Sequence, residues 1–223
     1  MYALFEDAGK FQTGRILSEA ESSAQIELES GKRLKAKSAN ILLKFDKPSP
    51  NVLMAEATAL SATIELDLAW EFAPSDEFSF QELAQEYFSD NATLTEQTAA
   101  LISLFQAPHY FRRSGKGKFK KASADVLQQA LAAIEKKKLI QQQIEAWALA
   151  LGEGSCPEPI AAQLYKILFK PDKNAAEYKA VVEASRATHL APLALLQKAG
   201  AITSAYDFHW QRFLFDNFPK GIG

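Results

Sequence analysis

His109-Tyr-Phe-Arg-Arg-Ser-Gly-Lys-Gly-Lys-Phe-Lys-Lys-Ala122 is the stretch around which the chain is organised. Six cations fall here, Arg112, Arg113, Lys116, Lys118, Lys120 and Lys121, interleaved with the rings of Tyr110, Phe111 and Phe119. Ser114-Gly-Lys-Gly117 reads as a tight turn, because glycine takes the positive φ that hairpin turns need. Two short basic strands around that turn predict a β-ribbon that projects into solvent. Its cations can meet phosphates, and Tyr110 or Phe119 can stack on bases where the ring faces solvent, or serve as core where it does not. A solvated loop that keeps the protein in solution accounts for the same residues without a ligand.

Charge sharpens the first reading. From Pro48 to Phe111 there are ten acidic residues and no Lys or Arg, whereas Arg112 to Lys138 holds nine basic and two acidic residues, in a chain of net charge −2. A localised positive surface on a near-neutral protein is the footprint of a face that meets a polyanion. On the N-terminal side of the ribbon, Phe80 to Phe88 has the apolar spacing of an amphipathic helix. Thr93 with Glu96 is a capping box opening a further helix through Phe105. Two short helices followed by a basic hairpin outline a winged helix-turn-helix with the ribbon as its wing. A helical bundle with a hairpin insert uses the same elements.

Further out, Val52 to Phe72 is rich in helix formers and places Leu60, Ile64, Leu68 and Phe72 on one face, with Asn51 as N-cap. Ser123 to Leu151 predicts a long helix with a stripe of Val126, Leu127, Ala130, Leu131, Ile134, Ile144, Trp147 and Leu151. The winged region is therefore placed at 52–151. In the first 46 residues the short apolar run Tyr2-Ala-Leu-Phe5, Phe11 to Leu17, the alternating Ala24 to Leu28 and Arg33 to Lys37, and Ile41 to Phe45, with turns at Asp7–Lys10 and Ser30–Lys32, predict five short strands in a small SH3-like or OB-like barrel. Lys32, Arg33, Lys35 and Lys37 give it a basic edge. Residues 157–223 read as a helical segment. Tyr206, Phe208, Trp210, Phe213, Phe215 and Phe218 carry more apolar surface than one terminal helix can bury, and predict an interface with a further domain. The fold class expected is α+β.

No catalytic constellation is present. His109, His189 and His209 are isolated, and neither a phosphate-binding glycine loop, a nucleophile elbow nor a cluster of aspartates occurs, so no catalytic residue, metal ligand or cofactor site is assigned within the segment. Cys156 is the only cysteine, which fits a reducing compartment. No signal-peptide start and no long apolar run are found, so a cytoplasmic location without a membrane partner is expected.

Several patches together resemble a bacterial branch of the ribonuclease II (RNB) exoribonucleases. They are Ser30-Gly-Lys-Arg33, Ile41-Leu-Leu-Lys-Phe45, Tyr110 to Phe119, Tyr165 with Lys170-Pro-Asp-Lys-Asn174, and Phe213-Leu-Phe with Phe218-Pro-Lys-Gly221. The resemblance implies a small barrel and a winged helix preceding a catalytic domain that degrades RNA from its 3′ end by Mg²⁺-assisted hydrolysis. It places the catalytic aspartates and Mg²⁺ beyond residue 223, so what it transfers to this chain is RNA capture and guidance. The partners implied are single-stranded RNA and the parent's catalytic domain. Two other classes stay open. One is a DNA-binding winged-helix regulator, against which stands the absence of Lys or Arg in residues 94–105 together with the phosphate-repelling Glu96. The other is an interdomain scaffold whose basic ribbon faces an acidic protein surface.

Overall fold

The five short segments predicted as strands pair in the structure. They are β1 Tyr2–Asp7, β2 Lys10–Ala20, β3 Ser23–Glu27, β4 Arg33–Lys37 and β5 Ile41–Phe45. A computed structural model, which describes residues 1–218, joins them in one antiparallel sheet of order β4-β3-β2-β1-β5. The class is α+β, as expected. Packing divides the chain into two compact units, Met1–Leu131 and a second from Ala132 onward.

In the first unit β1 is buried on both faces. Ala3 and Phe5 join Ala24, Ile26 and Ala36 in one small core, while Leu4 joins Phe45, Leu53, Phe80, Leu101 and Phe119 in a larger one. The sheet and the helices after it thus share a hydrophobic core. One glycine is fixed by close approach. A Cβ on Gly14 would lie 2.5 Å from Ile26 Cγ2 and 2.7 Å from the Glu27 carbonyl oxygen. Gly14→Ala is therefore expected to cost about 2 kcal/mol by overpacking, measured by denaturant unfolding. A variant within about 0.5 kcal/mol of wild type would show that β2 and β3 can part to admit a methyl group.

The single helix expected over Val52–Phe72 is two, α1 Pro50–Ser61 and α2 Leu66–Phe72. Ser49 and not Asn51 is the N-cap, with Pro50 at the first helical position, where its missing N–H costs nothing. The break follows from Ser61 and Thr63, whose hydroxyls donate to the carbonyls of Thr58 and Leu60 and so offer the backbone an alternative to the helix. The proposed apolar face is divided with it: Ile64 is buried, but Leu68 and Phe72 are exposed. Next come β6 Phe78–Ser79, α3 Phe80–Tyr87 and α4 Leu94–Gln106, both helices opened by full capping boxes, Ser79 with Glu82 and Thr93 with Glu96. The hairpin of β7 Phe111–Gly115 and β8 Lys118–Lys121 joins β6 in a second sheet of order β6-β8-β7.

Helix α5, Ala124–Gly152, is one continuous helix. Leu127 and Leu131 pack on the first core, and Ile144, Ala148 and Leu151 on the second. Ile134, assigned to the stripe, is exposed, as are all residues from Ala132 to Gln143. The second unit is helical: α6 Glu158–Ala161, α7 Leu164–Phe169, α8 Ala176–Thr188, α9 Pro192–Lys198 and α10 Ala205–Asn217. Its core holds Ile160, Val181, Leu195, Leu196 and Phe208. Tyr165 bonds Asp216, and the Arg212 guanidinium lies 4.3 Å from the Phe169 ring centroid, which ties α10 to α7. Trp210, Phe213 and Phe215 nonetheless stay about half exposed, at 52, 48 and 51 %. Residues 219–223, the end of the 157–223 segment and of the last resembling patch, lie outside the described residues.

Candidate nucleic-acid interface

The hairpin register decides what each residue of the basic stretch can do. Arg112 pairs with Lys120 and Arg113 with Phe119 across the strands, and Phe119 in turn stands opposite Phe78 of β6. Side chains alternate between faces along a strand, so in β8 Phe119 turns inward between the exposed Lys118 and Lys120. Tyr110, Phe111 and Phe119 are all buried. Burial, with the hydrogen bond that the Tyr110 hydroxyl donates to Asp67 Oδ1 at 2.6 Å, pushes the phenol pKa up to about 12. Neither Tyr110 nor Phe119 presents a ring face to a base; both are core.

The ribbon also does not project. Gly117, at φ 65°, is buried, and its carbonyl accepts the Phe80 N–H at 3.1 Å. A Cβ there would lie 3.1 Å from the Phe80 ring and 3.2 Å from Leu42 Cδ2. The turn is therefore laid against the start of α3 and against β5. Rings at the inward positions bury apolar area only if the strands lie flat on the core, and that outweighs solvent exposure of the turn.

The six cations divide by partner. Arg113 Nη2 lies 2.6 Å from Glu6 Oε2 and Lys116 Nζ 3.1 Å from Glu6 Oε1. Glu6 is only 4 % exposed. Burial raises its pKa, but the hydrogen bonds and charges of Arg113 and Lys116 outweigh that and hold it below the usual carboxylate value. Lys118 pairs with Glu77 at 3.2 Å, on an exposed carboxylate held low by the Ser114 hydroxyl and then by Lys118. Lys121 donates to the Ala73 carbonyl at 2.8 Å and sits 5.2 Å from the Trp70 ring centroid, where it neutralises the C-terminal end of α2. Arg112 and Lys120 remain. Both are exposed, they face each other, and neither has an ion-pair partner among the described residues. Like charges directly opposite on a sheet destabilise it, and an anion held between them relieves the repulsion.

Glu6 was missed by sequence reasoning. A lone glutamate after Tyr2-Ala-Leu-Phe5 reads as a solvent-facing strand residue, and its partners lie more than a hundred residues away in the chain. Helix α4 is enclosed: Thr98, Ala99, Ala100, Leu101, Ile102, Ser103 and Leu104 are all buried, so this run offers no free face to a DNA groove. Among the described residues no group of three or more His, Cys, Asp or Glu is placed to hold a metal ion, and no helix is long and apolar enough to cross a membrane. Comparison with family models, curated proteins and solved structures finds no match to this chain.

Proposed function

We propose that the Met1–Leu131 unit binds single-stranded RNA without sequence preference, as the accessory region of an RNB-type 3′–5′ exoribonuclease. The observation that carries this reading is the exposed Arg112–Lys120 pair, neither member of which is in an ion pair among the described residues, set in a run of cations whose other members are already occupied. The order β6-β8-β7 around α3 and α4 fits a winged helix-turn-helix with β7–β8 as wing, and the sheet in which β5 returns to pair with β1 fits an SH3-like barrel. Burial of α4 favours wing-led contact over the major-groove reading that a DNA-binding regulator needs. Because the rings beneath the ribbon are core, affinity rests on phosphate contacts and is strongly salt-dependent. In this reading catalysis, Mg²⁺ and the aspartates that hold it belong to the parent's catalytic domain, the exposed aromatic side chains of α10 meet that domain, and the protein works in the cytoplasm.

The test is Arg112→Ala with Lys120→Ala. The slope of log affinity for a labelled oligouridylate against log salt is expected to fall by roughly 1.4, about 0.7 for each phosphate of a single strand that the variant no longer neutralises. Stability should stay within about 0.5 kcal/mol, because both side chains are on the surface. Coincident salt curves for the variant and the wild type, or no RNA binding by the wild type, would move the interdomain scaffold ahead.

A further inference from the structure

We infer that the RNA path does not end at the hairpin but runs on along the edge of the five-stranded sheet, through a groove lined by Lys35, Lys37 and Lys116. This rests on the RNA-binding reading and names a second contact surface for it. The groove encloses about 460 Å³ and brings together β4, the end of β1 and the hairpin turn. Strand β4 is terminal in the sheet order, so one of its edges meets no strand. Lys35 and Lys37 stand two residues apart on that strand, on one face and separated by about 6.7 Å. Both are exposed, and neither has an ion-pair partner among the described residues. Arg33, the next cation on the same face, is taken up by Glu27 at 3.1 Å.

The charges opposing them are few. Two carboxylates line the groove, Glu6 and Asp7. Glu6 is already shared by Arg113 and Lys116, which leaves Asp7 against Lys35 and Lys37. Of the apolar lining, Phe5 and Ala36 are buried and Leu34 is half-buried, so the accessible wall mixes polar and apolar surface, with its free charge on Lys35 and Lys37. A peptide strand added to the β4 edge would need pockets for its alternate side chains. A nucleic-acid backbone needs only the cations, and a strand leaving Arg112 and Lys120 would pass the hairpin turn, where Lys116 is held by Glu6, and then meet Lys35 and Lys37 of β4. The groove therefore suits a sugar-phosphate backbone better than an acidic peptide.

The experiment uses the full chain and an oligouridylate long enough to span both cation pairs. Salt series are measured for wild type, for Lys35→Gln with Lys37→Gln, for Arg112→Ala with Lys120→Ala, and for the four changes together. Circular dichroism melts check that each variant is folded. Each double variant is expected to lower the salt slope by roughly 1.4, and the combination by roughly 2.8. If the β4 variant keeps the wild-type slope while the hairpin variant shows a lower one, the groove inference falls and the RNA reading stands. No binding by the wild type fells both. Polyglutamate displacing the oligonucleotide at equal charge concentration would show that the groove takes acidic protein, and would also overturn the inference.

Discussion

Phe119→Ala is expected to destabilise the first unit by about 4 kcal/mol, the cost of emptying a fully buried ring site. Phe119 is 1 % exposed, lies opposite Phe78 across the sheet, and shares a core with Leu4, Phe45, Leu53, Phe80 and Leu101. That core holds the first sheet, the helices and the hairpin together. Against a typical domain stability of about 5–15 kcal/mol, the loss removes between about a quarter and four fifths of the total. Denaturant unfolding reads it directly. Phe119→Leu separates packing from recognition: it fills most of the site and should cost under about 1.5 kcal/mol. The leucine variant should also keep the wild-type RNA affinity, because the ring touches no base. A leucine variant that stays folded but no longer binds RNA would return Phe119 to the interface.

Strands β3 and β4 were legible because one face of each goes inward and a period of two marks that in the residues themselves, and β1 and β5 because they are short apolar runs between turn signals. The capping box of Thr93 with Glu96 was legible because it is local, the two side chains satisfying each other's backbone within a single turn, whereas the equivalent pair of Ser79 with Glu82 was not read. What could not be read locally is which way a symmetric pattern faces. In the basic ribbon the rings and the cations alternate, so a base-stacking platform and a core strand look alike. The choice was made by Phe78, Phe80 and Leu42, which come from three other elements. Strand β6 was missed because two residues carry no periodicity. The helix break after Ser61 was missed because propensity summed over Val52–Phe72 outweighed two hydroxyls that act on single carbonyls. The site suffered most where it depends on long-range pairing. Six cations looked equivalent in the sequence, and only the fold assigns Arg113 and Lys116 to Glu6, Lys118 to Glu77 and Lys121 to the end of α2.

Glu6→Gln is expected to act in opposite directions on folding and on binding. The carboxylate holds two cations of the hairpin on the first sheet. Their side chains are 37 and 42 % exposed and can return to water, so losing the charge should cost only about 1.5 kcal/mol of stability. The folded pKa lies below the ordinary value, so this contribution is complete above the unfolded-state pKa and disappears as pH falls through the folded one. The stability gap between wild type and variant should therefore be open at neutral pH and close on acidification below the ordinary glutamate range. RNA binding should move the other way. A phosphate reaching Arg113 or Lys116 must compete with a buried carboxylate already in place, whereas in the glutamine variant both cations are free. The salt slope should then steepen by up to about 1.4, with tighter binding at low salt. Weaker binding by a folded variant would mean that Glu6 serves RNA by holding the turn in shape, and that the position of the hairpin, more than its number of free cations, sets affinity.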